Sequence, residues 1–466
     1  RERLAPPPVP TGSIQLLPPP ELTPSDGVSS VLSSALPMLG SLGSIAFVVM
    51  SRPGMAGILT GGMFLMASVG FLFANGWRQR SQRQATVVGA RREYLAYLAD
   101  LRDTVRQAGS AQRRAAGWRG PDPRALPVIA EERTRVWERS PGDDDFLITR
   151  VGIADAGLCL HLEPPDTPPL AQLDPVAASA AHRFLLTHAT LQDVPFEIDA
   201  RSVAKVEITG PEADARSLAR AVVCQLATAH SPEHLRIAVI AGRGQLPEWE
   251  WAKWLPHTSS PHARDAVGPS RMIAGSLAEL EDLLPEGLPD RPRFGPSEAP
   301  DLPHVLIVVD GGVVPPGNPI ITHDGVMGVT VLDLPSRWGE LADPATTRLA
   351  VGGLPARPVP GEARVGLQVL RPGLPPRSAV AYRMSIADAE ATARRLTPLF
   401  LESGPQRSDT TQVSAELVDL LGIGDVRDFD PAVHWRPRLQ RDRLRVPIGL
   451  TTQGQPLALD IKESAQ

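Results

Sequence analysis

The chain has 466 residues and a net charge of −5. That length excludes a single small core and predicts two or three domains, and the charge excludes bulk attraction to nucleic acid, so no nucleic-acid partner is expected. The two cysteines, Cys159 and Cys224, lie in apolar runs, which argues against disulfide stapling and for a reduced compartment, while 49 prolines call for many turns and extended connectors.

Residues 1–26 carry PPPVP and LPPPEL. They cannot bury a core and read as an extended segment, either a floppy tail or an ordered strap held by a partner. From Gly27 to Gly76 the only formal charge is Arg52. Two apolar stretches, 28–50 and 55–75, flank the break SRPG, and each is long enough to cross a bilayer core of about 30 Å as a helix. The expectation is a transmembrane hairpin in contact with membrane lipid, its small residues (Gly40, Gly43, Gly57, Gly61, Gly62) seating one span against the other. The alternative is a buried helical hairpin. Arg78, Arg80, Arg83, Arg91 and Arg92 follow the second stretch, so the positive-inside rule places both ends in the cytoplasm of a two-pass plasma (inner) membrane protein.

Residues 77–117 lack proline and predict a long helix, a stalk of roughly 60 Å at about 1.5 Å per residue. Val87, Tyr94, Leu98, Leu101, Val105 and Ala108 form a short heptad-like seam, which suits either packing on the chain's own domain or pairing with a partner helix. After the breaker Gly120–Pro127, RVWERSP and FLITRVGIADAGLCLHLEPP predict strands with a turn at Ala154–Gly157. His161 and His182 have no Cys/His/Asp cluster around them and read as structural.

The apolar runs 235–242, 305–312 and 326–334 suit strands covered on both faces, as in a parallel sheet. With helices such as Ser276–Leu284 between them they predict an α/β, three-layer domain. Trp249, Trp251 and Trp254 read as core rather than as a docking patch. MSIADAEATARRLTPLF predicts an amphipathic helix, and the last residues a strand pair with a turn at Gln453–Gly454.

The stretch VAKVEITG-PEADARS-LARAVVCQLATA reads as strand, turn and helix. Gly210 to Ser217 has the spacing of a phosphate-binding loop, G-x-x-x-x-G-K-[ST], with Ala215 for the second glycine and Arg216 for the lysine. Asp310, ending the run VLIVVD, stands where such folds keep a magnesium-organising acid. Gly210, Arg216, Ser217 and Asp310 are therefore the candidate cofactor-binding residues of a degenerate RecA-like site, with no catalytic residue and no metal ligand assigned. Ala215 adds a Cβ where backbone must approach phosphate. A carboxylate such as Glu212 about 5 Å from a phosphate charge costs roughly 3 kcal/mol at an effective dielectric near 20. Gly311 leaves no acid to activate water.

The order of these features resembles EccC, the FtsK/SpoIIIE-type membrane ATPase of type VII secretion. The matching pieces are PPPEL, the paired apolar stretches, REYLAYLADLRDTVR, the strand–turn–helix with LRIAVIAG, WEWAKWLPH, HVLIVVDGG, and LRVPIGLTTQGQPLALDIKESAQ. The resemblance implies that 118–430 is a degenerate ATPase-like domain and that 431–466 begins the first true ATPase domain, stopping short of its Walker A loop. ATP and Mg are thereby implied for the full-length protein rather than for this segment. The implied partners are EccB, EccD and EccE, further copies in a ring (a hexamer), and WXG-type secreted substrates engaging later domains. The expected function is the anchoring, stalk and coupling portion of a secretion motor subunit. The alternatives are an FtsK-type DNA translocase and a non-enzymatic membrane scaffold.

Overall fold

The computed structural model describes residues 3–22, 47, 50, 55–166, 169, 172–266, 268–295, 303–318, 320–321, 325–353, 364–399, 417–423, 425–435, 437, 439, 443–450 and 455–461. It divides into two units, Arg1–Leu399 and Phe400–Gln466. The first unit opens with β1 (Gly12–Gln15) and α1 (Met55–Arg119). These are followed by β2 (Ile148–Gly157), β3 (Leu160–Glu163), α2 (Pro175–His188), β4 (Thr190–Asp199), β5 (Lys205–Thr209) and α3 (Glu212–Ala229). Next come β6 (Leu235–Ala241), β7 (Ser259–Asp265), β8 (Gly268–Arg271), β9 (Ile273–Ala274), β10 (His304–Asp310) and β11 (Val329–Asp333). The unit closes with β12 (Thr346–Val351), β13 (Gly366–Leu370), β14 (Arg377–Ala381) and α4 (Ile386–Leu396).

Ten of these strands form one mixed sheet in the order β4-β2-β14-β13-β12-β5-β11-β10-β6-β9. From β12 to β9 the pairs are parallel, and from β12 to β4 they are antiparallel. β10 and β6 are largely apolar on both faces because both are covered, while β5 and β12 carry Lys205, Glu207 and Arg348, which pair with one another and with Asp333. Along β10, Leu306 and Val308 enter a core beneath α3 and α4, while Val305, Ile307 and Val309 enter a second core with Leu277, Leu280 and Ile320. Side chains of period two thus serve two layers of helix and loop. Along β13 and β14 the two faces differ: Leu367, Val369, Ala379 and Ala381 join the core of α3, and Gln368 and Ser378 are exposed.

The transmembrane hairpin requires correction. Residues 55–75 are not a separate span but the start of α1, one uninterrupted helix of 65 residues that runs on into the arginine-rich segment. Among the described residues, a Cβ at Gly62 or Gly70 would meet nothing within 4 Å. Among the described residues no helix is long and apolar enough to cross a membrane. The first stretch, 28–50, lies outside the described residues except at positions 47 and 50. The two-pass placement in the plasma membrane, with both ends cytoplasmic, loses its basis with the hairpin.

The seam on α1 is satisfied within the chain. Tyr94, Leu98, Leu101 and Val105 pack with Ala177, Ala181 and Phe184 of α2 and with Leu16, which is 2% exposed. The proline-rich start is correspondingly an ordered strap. β1 pairs in parallel with β3, from Gly12 opposite Leu160 to Gln15 opposite Glu163. Tyr94 donates to the Leu17 carbonyl at 2.9 Å, and Leu17 N–H donates to the Tyr97 hydroxyl at 3.2 Å. Arg91 forks onto Asp174, the N-cap of α2, at 2.7 and 2.8 Å. That ion pair, followed by burial acting the other way, holds the Asp174 carboxyl below the usual range.

β2 continues through Gly157, so the predicted turn at Ala154–Gly157 is displaced to Leu158 and Cys159. Bulges near Arg150–Gly152 and Ala154–Ala156 absorb the irregularity. The second unit holds β15 (Arg445–Leu450) and β16 (Pro456–Asp460), an antiparallel pair with an irregularity between Pro447 and Gly449. The turn predicted at Gln453–Gly454 lies outside the described residues.

Candidate functional site

The candidate residues gather at the carboxyl ends of β5 and β10, where open α/β sheets bind ligands. β11 lies between these two strands. Gly210 leaves β5 with φ of +130°, and a Cβ there would stand 1.9 Å from the Val351 carbonyl oxygen of β12. The glycine is thus required by backbone approach between neighbouring chain segments, not by a phosphate. Gly210→Ala is expected to cost on the order of 3 kcal/mol through clash and strained backbone, read as a lower urea midpoint. An unchanged midpoint would show that this crossing can relax.

The turn that should cradle phosphate is short. Pro211 caps α3, helix begins at Glu212, and Asp214 and Ala215 N–H already donate to the Pro211 carbonyl. Residues 214–217 therefore spend their N–H groups on helix or helix entry, which leaves only Glu212 and Ala213 of this turn with N–H groups outside the helix ladder. Arg216 turns across to Asp310. Its Nε donates to Oδ2 at 2.8 Å and its Nη2 to Oδ1 at 3.3 Å, while Nη1 lies 3.0 Å from Glu212. Trp249 Nε1 donates to the same Asp310 Oδ2 at 2.8 Å. The Asp310 hydrogen bond, opposed by burial, raises the Arg216 pKa above its ordinary value.

Ser217, the residue that would hold magnesium in a working loop, faces away from Asp310. Its Oγ donates to the Met384 carbonyl and accepts the Met384 N–H, both at 3.0 Å. Arg220 Nε donates to the same carbonyl at 3.0 Å, and its Nη1 meets Glu248 at 3.0 Å. Burial pulls the Arg220 pKa down and Glu248 pushes back. Arg383 reaches Asp214 at 3.2 Å. Met384 sits between the end of β14 and the start of α4, where its backbone has neither ladder nor helix partner, and α3 supplies both.

The structure thus brings Gly210, Arg216 and Asp310 together and directs Ser217 elsewhere. The remaining cavity, lined by Glu212, Arg216, Gln245, Asp310 and Gly311 among others, is about 70 Å³. Small-molecule sites run to about 300–1,000 Å³. With Asp310 neutralised by Arg216, Ser217 committed to Met384 and the carboxylate of Glu212 at the rim, these residues do not fit a magnesium–triphosphate. The roles of Trp249 and Arg220 escape a reading by motif. A basic side chain four residues after Arg216, inside the otherwise apolar stretch LARAVV, was the available signal for the second.

No family model matches the chain. It is 39% identical over 470 residues to the ESX secretion system protein EccC of Thermomonospora curvata, covering 100% of this chain and 35% of that protein. It is 35% identical to ESX-4 secretion system protein EccC4 of Mycobacterium tuberculosis, over 98% of this chain and 33% of that one. It is also 35% identical to ESX-3 secretion system protein EccC3 of the same species, over 100% of this chain and 35% of that one. The chain therefore spans about a third of the length of the curated relatives it matches. A solved cytoplasmic domain of the Thermomonospora curvata type VII secretion ATPase EccC aligns with 73% of this chain and 41% of its own. It does so at 17% identity and a TM-score of 0.28, too loose a match to bear on function. On the strength of similarity along its whole length, the chain belongs to the EccC family of ESX secretion system proteins.

Proposed function

We propose that this chain is a coupling portion of a type VII secretion motor subunit, in which a degenerate ATPase-like domain over 118–430 holds and transmits but does not hydrolyse. The observation that carries the reading is the Arg216–Asp310 pair, which closes the position a nucleotide cation would take. Residues 431–466 are the opening of the first true ATPase domain, and 77–117 is the stalk that stiffens the connection. ATP and Mg act in the full-length protein, beyond the third of its relatives that this chain matches. EccB, EccD, EccE and further copies in a ring are its assembly partners. A Thermomonospora curvata EccC structure is of its ATPases 2 and 3 in complex with a signal sequence peptide, and WXG-type substrates would engage the corresponding later regions here.

Isothermal titration of this chain with Mg-ATP is expected to give no heat of binding up to millimolar nucleotide. In the full-length protein, Asp310→Asn is expected to reduce complex assembly several-fold while turnover per assembled subunit changes less than twofold. Normal assembly with lost turnover would sink the coupling reading in favour of a hydrolytic site.

A further inference from the structure

Over residues 3–16 the strap is pinned at two places, and it is held again beyond them, where Asp174 N–H donates to the Pro20 carbonyl and Leu22 N–H to the Gln172 carbonyl. At its start, Arg3 lies 2.5 Å from Asp145 and 3.3 Å from Asp143. At its far end β1 adds to β3, and Leu16 is buried against α1 and α2. Between these anchors residues 4–6 and 8–11 are exposed, and Leu4 and Val9 are more than a third exposed. Between them and the body lies a groove of about 790 Å³, with strap residues 4–7 and 9 on one side and Ala115, Trp118, Cys159, Val194 and Pro195 on the other. Its volume falls in the range of ligand sites, and its walls are mostly apolar.

The groove has an acidic end. Asp143, Asp144 and Asp145 all line it. Asp145 is 7% exposed, and its Oδ1 is buried with no hydrogen-bond partner among the described residues. Its other oxygen is shared by Arg3 and by the buried Arg139, whose Nε is 3.2 Å away. Arg3 therefore satisfies one half of a carboxylate whose other half remains without a donor. The prolines behind Arg3 line this groove without filling it, and its apolar walls are buried (Ala115, Val194) or half-buried (Trp118, Pro195).

We infer that this groove is a peptide-docking site, and that the strap is a tethered and incomplete occupant of it. The chemistry selects an extended peptide with an arginine or lysine at its start, to complete Asp145, and behind it side chains bulkier than proline to cover Trp118 and Pro195. Strand addition beside β3 supplies the register, as in other β-augmented complexes. This inference does not depend on the motor reading.

The test uses the full chain carrying Arg3→Ala and Leu16→Ala, which loosens both anchors, and two fluorescent peptides. One has the sequence of residues 1–17, and the other has Pro7→Phe and Val9→Phe in that sequence. Anisotropy is expected to show saturable binding of both, the phenylalanine peptide at least tenfold tighter, with at least tenfold loss on adding Asp145→Asn to the chain. No binding, equal binding of the two peptides, or indifference to Asp145→Asn overturns the proposal. Should the loosened chain fail to fold, hydrogen exchange of the unaltered chain serves instead. Millimolar phenylalanine peptide is expected to raise exchange at strap residues 12–17 severalfold, and unchanged exchange overturns the proposal.

Discussion

Replacing Arg216 with alanine is expected to destabilise the first unit by about 3–5 kcal/mol, the cost of leaving a buried carboxylate without its counter-charge. Asp310 is 3% exposed and would keep only the Trp249 indole. Arg216→Lys retains charge but cannot make the two-pronged contact, and a loss of about 1–2 kcal/mol is expected from the missing charge-assisted hydrogen bond. Removing both partners together, as Arg216→Met with Asp310→Leu, takes the charges out as a pair and is expected to restore most of the stability. Urea unfolding of the three variants checks the series. Were the double variant as unstable as Arg216→Ala, the ion pair would not be the source of the loss.

A second large effect is expected on acidification. His230, His257 and His304 are buried and held neutral. Burial is the main cause in each, bringing the three to about 3, about 4 and about 3 from an ordinary 6.5. Geometry agrees for His230, whose Nε2 accepts the Leu147 N–H at 2.9 Å while Nδ1 faces the Leu226 carbonyl at 2.9 Å. A proton on Nε2 would eject the first of these. The neighbouring Arg139 disfavours that proton, and Asp145 only partly offsets it. His257 faces the His230 carbonyl and Arg236, while Arg291 and Arg201 act on His304.

Because the native values are depressed, the unfolded chain binds more protons between about pH 6.5 and the native values. Stability is therefore full above pH 6.5 and falls as pH drops below it. With up to three protons involved, the slope reaches about 4 kcal/mol per pH unit, enough to exhaust a domain of ordinary stability by about pH 5. Asp145 and Asp174, whose values are also depressed, add their losses only at lower pH, as they approach the ordinary carboxylate value. Urea midpoints at pH 7.5, 6.5 and 5.5 read the slope, and His304→Gln is expected to lower it by about 1.4 kcal/mol per pH unit. Flat midpoints across that range would show that the histidines protonate in place.

Much of the parallel half was legible in the residues because burial on both faces leaves little ambiguity. VLIVVD becomes β10 and LRIAVIA becomes β6 with their limits nearly as read, and LARAVVCQLATA lies within α3. The antiparallel half was not. β13 and β14 are five residues each, and β14 pairs with β2, far earlier in the chain. Nothing local in RSAVA announces that partner. Gly152 marks the crossing, since a Cβ there would lie 2.2 Å from the Val380 carbonyl oxygen, but a glycine in a strand does not say what approaches it.

The candidate site was legible as residues and not as connections. Loop spacing singled out Gly210, Arg216 and Ser217, and the acid ending the apolar run VLIVVD added Asp310. Spacing could not show that helix begins at Glu212, which turns Ser217 from Asp310 towards Met384. Residues 55–75 mislead for a related reason. Their apolar content suggests a span bounded at Gly76, whereas a lone glycine with no proline beside it does not stop the helix, which runs on to Arg119.

The place of β2 and β4 in the sheet bears on how the protein is made. Both are synthesised before β5, yet they lie at the opposite end of the sheet from β6 and join it only through β14. At roughly 5–20 residues per second, the ribosome spends tens of seconds between releasing Gly157 and releasing Ala381. During that interval a nascent hairpin of β2 and β4 offers an unpaired edge, and the ladder from Gly152 to Ala381 has no partner to close on. A chaperone that shields this edge, or a slow stretch of translation ahead of residue 366, would act on the step that commits the sheet to ten strands.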